Sequence, residues 1–236
     1  MHRKVSLVIP AYNEAGIIAS TLEKALVFLG TRYDEYELIL SDDGSTDATR
    51  AIAEKMHDEH LRLVGHMPNH GKGSAVREGI LSAEGDVIVC TDADLAYGLE
   101  PVPALVELTE AGADLSIGSR LLCPDGYAEY PPLRRAASRT FHLITGRMAG
   151  FSYDTQCGIK AYSRAAAREI FSRSTCDGFA FDFEVLMLAK KLGFKIAEYP
   201  VKIVNQRDSK VHVFRDSLHM LGDIRRIKSG VEERFR

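Results

Sequence analysis

The chain has no tryptophan, and its thirty Lys and Arg residues show no interleaving with aromatic side chains. Both absences argue against a nucleic-acid surface, which pairs basic residues with stacking rings. Nowhere does an apolar run approach the ~18 to 20 residues that span a bilayer. The N-terminus enters a strand-like segment almost at once, without a charged leader and apolar core, so no secretory signal is expected. The four cysteines, Cys90, Cys123, Cys157 and Cys176, are scattered without metal-ligand spacing, and a reduced, cytosolic setting is the simplest account of them. The eight histidines form no ligand pattern and read as surface or core. Internal repeats and low-complexity segments are also missing.

What is present is an ordinary globular composition, 45% hydrophobic and 27% charged over 236 residues, enough for one large domain or one domain with an appendage. The net charge of −3 is unevenly placed, with the acidic excess in residues 1–118 and the basic excess in residues 119–236. An acidic half suits a metal site, and a basic half suits an anionic partner such as a phosphate or a charged membrane surface.

Residues 1–120 alternate short apolar runs with amphipathic stretches. Val5–Ile9, Tyr36–Leu40, Leu61–Val64, Asp86–Cys90 and Asp114–Gly118 read as strands. Residues 15–29, 47–56, 72–83 and 101–111 read as helices, the second capped by Ser45 or Asp47 and the fourth opened by Pro101. This rhythm predicts an α/β fold, a mostly parallel sheet covered by helices. After Arg120 the rhythm breaks. A proline-bearing loop over 121–132 leads to a basic, apolar helix over 133–151, where Phe141, Leu143, Ile144 and Met148 sit among Arg134, Arg135, Arg139 and Arg147. Such a helix suits a membrane surface or ordinary packing. A turn and short strand over 154–162, helices near 163–171 and 181–192, a strand or broken strand over 195–204 and a basic amphipathic helix over 212–228 complete the chain. No clean linker appears, so residues 1–236 read as one domain with a C-terminal elaboration.

Three polar segments follow the first, second and fourth strands and open at one sheet edge, where ligands of open α/β sheets bind. Pro10-Ala-Tyr-Asn-Glu14 offers a ring, Tyr12, for a nucleobase and a carboxylate, Glu14, for a base or sugar donor. Asp42-Asp-Gly-Ser-Thr-Asp47 has more carboxylates than a helix cap needs. Asp92-Ala-Asp94 can hold a hard divalent cation and through it a diphosphate; taken alone, it is equally a polar turn. The loop Asn69-His-Gly-Lys-Gly-Ser74 is glycine-rich, but His66 stands where a P-loop needs its first glycine, which excludes a P-loop NTPase. It reads either as the lining of a nucleotide cleft or as a structural turn. Asp154, Asp182 and Glu184 are acid/base candidates. Cys157 reads as a buried, inert thiol.

In this order and spacing, the four segments resemble family-2 glycosyltransferases of the GT-A fold over about residues 4–120. Gly118-Ser-Arg120, Asp154-Thr-Gln-Cys-Gly-Ile-Lys160, Phe181-Asp-Phe-Glu184 and Asn205-Gln-Arg-Asp-Ser-Lys210 resemble the polyprenyl-phosphate sugar transferases. Within these, the dolichyl-phosphate β-glucosyltransferase kind is the best match and the dolichyl-phosphate mannose synthases are cousins. The glucosyltransferases often carry transmembrane segments, and no stretch here reads as one. The resemblance implies that Pro10, Ala11, Tyr12, Glu14, Asp43, Lys72, Asp92 and Ala93 hold a nucleotide sugar, and that Asp92 and Asp94 hold Mg²⁺ or Mn²⁺. It further implies that Arg120, Arg207 and Lys210 contact phosphates, and that Asp94, Arg120 and Asp182 serve catalysis. The expected reaction is inverting transfer of a hexose, with UDP-glucose the preferred donor, to a lipid phosphate at the cytosolic membrane face. Its rivals are a GDP-mannose enzyme, a transferase for a soluble or polysaccharide acceptor, and a catalytically silent nucleotide-sugar sensor. A nucleotidyltransferase lacks its N-terminal Gly-rich Arg/Lys signature here.

Overall fold

A computed structural model describes residues 3–126, 132–205 and 213–235. Among the described residues seven strands form one sheet in the order β3-β2-β1-β4-β6-β5-β7. They are β1 (Val5–Ala11), β2 (Tyr36–Asp42), β3 (Leu61–Gly65), β4 (Val87–Cys90), β5 (Leu115–Ser119), β6 (Lys160–Ser163) and β7 (Ile196–Pro200). All pairings are parallel except the two made by β6, which is antiparallel to β4 and β5.

The central strands are buried along their whole length, as near-continuous apolar runs require. Their alternate residues feed two cores. Leu7, Ile9 and Val89 face helices α1 (Ile18–Gly30) and α4 (Val102–Glu110), where Ile18, Leu22, Leu29, Val102 and Leu105 are fully buried. Each such side chain contributes about 1.5 to 3 kcal/mol. Val8, Ile88 and Cys90 face the other layer, α3 (Lys72–Ser82), α6 (Arg164–Phe171) and α7 (Phe181–Lys191). Helix α2 (Thr49–Glu54) packs beside α1, and α8 (Val213–Arg234) lies on α5 (Pro132–Ala149) and α7. The expected α/β class and mostly parallel sheet are what the chain adopts. The predicted helix at 47–56 is shorter, and no side chain caps its first residue; Asp47 instead accepts from the Thr49 N–H at 2.9 Å.

Helix α5 buries Thr145 and Ala149 and leaves Leu143, Ile144 and Arg147 exposed. Among the described residues no helix is long and apolar enough to cross a membrane.

The sheet register sets up the site. Ala11 pairs with Asp42, Val8 with Cys90, and Cys90 with Lys160. Because β6 runs backwards, its first residue, Lys160, lies at the edge where the parallel strands end. Residues 12–14, 43, 66, 91–94 and 120 each follow the last residue of a parallel strand, so they gather along one rim.

Candidate active site

The segments after β1 and β2 are stitched to each other. Asn13 takes a left-handed backbone, φ 54°, which Asn tolerates better than most residues. Its N–H donates to Ser45 Oγ at 2.9 Å, and its Oδ1 accepts from the Thr46 N–H at 2.8 Å. The Glu14 N–H donates to Thr49 Oγ1 at 2.7 Å. Pro10 and Ala11 are buried strand residues, while the Tyr12 ring is 41% exposed at the rim.

Asp43 is buried and heavily used. Its carboxylate accepts from Asn69 Nδ2 at 2.6 Å, from the His70 N–H at 3.0 Å and from the Gly71 N–H at 3.0 Å. His66 Nε2 lies 3.1 Å away on the same carboxylate. Asp43 therefore fixes the loop that leads into α3. The N–H groups at the start of α3 are also taken: that of Gly73 donates to the Asp177 carbonyl at 2.7 Å, and that of Ser74 to the Gly71 carbonyl at 3.0 Å. A Cβ on Gly73 would lie 2.2 Å from the Cys176 carbonyl oxygen. The backbone donors of His70, Gly71, Gly73 and Ser74 are thus spent on protein, not offered to a phosphate, which leaves the Lys72 side chain as the loop's group for a ligand.

Lys72 leaves this loop and places Nζ 2.6 Å from Asp92 Oδ1. Lys160 Nζ lies 2.5 Å from Asp182 Oδ1 and donates to the Cys157 carbonyl. Arg120 grips Asp154 through its backbone N–H at 3.0 Å, Nε at 2.8 Å and Nη2 at 2.7 Å, the forked geometry that suits carboxylates. Three cations and three carboxylates thus interleave under the rim. Burial pushes the carboxyl of Asp92 up, but Lys72, Lys160 and Arg120 outweigh it and hold it below the usual range. Asp154 shows the same contest, won by Arg120. At Asp182 burial prevails over Lys160 and Lys72, and its carboxyl is raised. The Cys157 thiol is pushed up to about 12, chiefly by burial and then by Asp154, so it is inert as expected.

Asp94 differs from its neighbours. Its Oδ1 accepts from the Ala96 N–H at 3.0 Å, and no Lys or Arg among the described residues forms an ion pair with it. Burial and then the charge of Asp92 raise its carboxyl, and Glu14 adds to this. Among the described residues the Ala96 N–H and then the charge of Lys72 offset this, and they do so in part. Hard oxygen ligands around an unmet negative charge fit a divalent cation. Among the described residues no cluster of three or more His, Cys, Asp or Glu could hold a metal. Two carboxylates completed by substrate phosphate and water is the common Mg²⁺ arrangement. The turn after Asp94 is held in place: Leu95 has φ 47°, and its carbonyl accepts from Asn205 Nδ2 at 2.8 Å. Ala93 is buried, and its carbonyl accepts from Thr21 Oγ1 at 2.8 Å.

Glu184, an acid/base candidate in the sequence, is instead an anchor. It is fully buried and accepts from Ser174 Oγ, the N–H groups of Thr175 and Cys176, Thr175 Oγ1 and Arg234 Nη2 at 2.7 to 3.0 Å. Arg207 and Lys210 lie outside the described residues. Two residues of the site had no role assigned from the sequence. Lys160 stood in the Asp154–Lys160 run, and a lone charge opening a strand was its only signal. His66 was visible only as the residue that spoils a P-loop.

Comparison with known proteins agrees with this geometry. The model of "Glycosyl transferase family 2" matches residues 6–171. The chain is 34% identical to a dolichyl-phosphate beta-glucosyltransferase of Dictyostelium discoideum, over 95% of this chain and 73% of that protein. It is 36% identical to the protein of that name from Drosophila melanogaster, over 94% and 73%. Among solved structures, glucosyl-3-phosphoglycerate synthase from Mycobacterium tuberculosis, in complex with Mn²⁺, UDP-glucose and phosphoglyceric acid, superposes with a TM-score of 0.68. It is 20% identical, over 96% of this chain and 80% of that one. With strand-end carboxylates gathered on a GT-A sheet and a family match across most of its length, the chain belongs to glycosyl transferase family 2.

Proposed function

We propose that this protein transfers glucose from UDP-glucose to dolichyl or a related polyprenyl phosphate, with Mg²⁺ or Mn²⁺ held by Asp92 and Asp94. The observation that carries the reading is the Asp92–Asp94 pair at the end of β4, on the rim that also bears Tyr12, Glu14 and Asp43. The relatives named for glucose transfer to dolichyl phosphate supply the acceptor and the sugar. The fold neighbour, crystallised with UDP-glucose and Mn²⁺, is the reason to try that donor and metal first.

Residues 1–120 form the donor half in this reading. Pro10 and Ala11 set the floor, the Tyr12 ring lies against the base, Glu14 accepts from the nucleoside, and Asp43 acts by fixing the loop before Lys72. Ala93 spaces the two carboxylates, and Lys72 faces the diphosphate. Residues 121–236 form the acceptor half; Arg207 and Lys210, together with Arg120 at the boundary, are assigned to phosphate contacts. Asp92 and Asp94 would hold the cation, which when bound would supply charge neutralisation for the departing diphosphate. Asp154, Asp182 and Glu184 are each tied to a cation, Arg120, Lys160 and Arg234. That suits an acceptor which is already ionised and needs no strong base. Asp182 then keeps Lys160 in place at the sugar end. The acceptor oxygen attacks the anomeric carbon from the face opposite the diphosphate, so configuration inverts. Exposed Leu143, Ile144 and Arg147 on α5 support peripheral docking on an anionic, cytosolic membrane face.

Incubation with radiolabelled UDP-glucose, dolichyl phosphate in detergent and Mn²⁺ should move label into the organic phase. Chelator should stop this, and Asp94→Ala should lower the rate at least ~100-fold with an unchanged melting temperature. Transfer from GDP-mannose instead, label appearing only on soluble acceptors, or a near-normal Asp94→Ala rate would each overturn the assignment.

A further inference from the structure

The two carboxylates of Asp92-Ala-Asp94 are not equivalent. Asp92 already has a cation, Lys72, at 2.6 Å from Oδ1, while its Oδ2 is pressed against Gly158, where a Cβ would lie 2.2 Å away. Oδ1 of Asp92 is therefore paired, while Oδ2 is hemmed in by Gly158. Asp94 gives Oδ1 to a backbone N–H and has no Lys or Arg partner among the described residues. The Lys72 side chain is 26% exposed and that of Asp92 28%, so a cation arriving from solvent reaches the pair directly. Lys72 meets Asp92 as an ammonium in a close ion pair. A divalent cation engaging Asp92 must displace this ammonium, and cation and ammonium then repel each other at close range. A diphosphate arriving with the cation removes that repulsion, and the flexible four-carbon stem lets the ammonium move onto phosphate oxygens.

We propose that Lys72 is a resident counter-ion that occupies Asp92 in the unliganded protein, leaves it when a divalent cation binds, and passes to the nucleotide diphosphate. It thereby couples cation binding to nucleotide binding. This rests on the reading of Asp92 and Asp94 as cation ligands. By linkage, the nucleotide raises cation affinity by the factor that the cation raises nucleotide affinity.

The test is Mn²⁺ binding to the full chain, followed by electron paramagnetic resonance, with and without UDP. Without UDP, Lys72→Met should bind Mn²⁺ roughly three- to tenfold more tightly than wild type, the effect of removing one partly screened positive charge. Lys72→Arg should behave as wild type. UDP should tighten Mn²⁺ binding in wild type and shrink its effect in Lys72→Met. A second readout needs no variant: the acylation rate of Lys72, followed by mass spectrometry, should rise with Mn²⁺ alone and fall when UDP is added. If Lys72→Met binds Mn²⁺ no more tightly than wild type, or Lys72 labelling ignores Mn²⁺ and UDP, the counter-ion role is overturned while the cation site stands. If Asp94→Asn leaves Mn²⁺ binding unchanged, the cation reading itself is wrong.

Discussion

Gly158 has Asp92 directly against its Cα. A Cβ there would meet Asp92 Oδ2 at 2.2 Å and Cγ at 2.9 Å, and the carboxylate cannot retreat without leaving Lys72. Gly158→Ala should therefore shift Asp92 by a fraction of an ångström to an ångström and lower kcat/KM about 100-fold, the usual effect of such a misplacement. Stability should drop by only about 1 to 3 kcal/mol, as for overpacking elsewhere. Steady-state rates beside a thermal melt check this, and wild-type rates would show that the close approach does not matter to the site. The same residue explains the neighbouring run. Asp154 holds Arg120, Cys157 lies close enough to Gly118 to exclude a Cβ there, Gly158 admits Asp92, and Lys160 meets Asp182. The motif is a scaffold for charges supplied by three other segments.

At the level of elements, the link between β3, α3 and the segment after β2 is His66. Its Nδ1 lies 2.7 Å from Glu78 on α3, its Nε2 3.1 Å from Asp43, and its ring stacks on His70 at 4.3 Å. Burial pulls the imidazole pKa down, but Glu78 and Asp43 outweigh it and hold it above the usual value. The folded state thus binds the proton more tightly than the unfolded one. The stabilisation is complete below the unfolded pKa of about 6.5 and is lost as pH rises through the raised folded value. Urea midpoints should fall from pH 5.5 to 8.5 in wild type, by about 1 kcal/mol of stability, and His66→Gln should flatten that slope. An equal slope in both proteins would remove His66 from the account. None of this was readable beforehand, because the partners of His66 lie 12 and 23 residues away and meet only through the sheet. The parallel strands were readable because strands buried on both faces must be continuous apolar runs. Strand β6 was only half-readable: residues 154–162 suggested a short strand, yet its insertion between β4 and β5 depends on non-local pairing.

For the molecule as a whole, the uneven charge has a structural counterpart. The acidic first half ends its strands in Asp42, Asp43, Asp92 and Asp94, while the second half sends Arg120 and Lys160 into the same rim. The positions of these strand-end residues followed from the sequence, since loops after parallel strands share one edge. Their pairings did not, since Lys160 meets Asp182 only because β6 runs antiparallel. The central claim is that Asp92 and Asp94 jointly hold a divalent cation and, through it, the donor diphosphate. Anomalous diffraction from crystals grown with Mn²⁺ and UDP tests it most directly. One strong Mn²⁺ peak bonded to Asp94 and Asp92 is expected, with Lys72 drawn off Asp92 toward the diphosphate. UDP bound with no Mn²⁺ at these carboxylates, or a peak elsewhere on the protein, would contradict it.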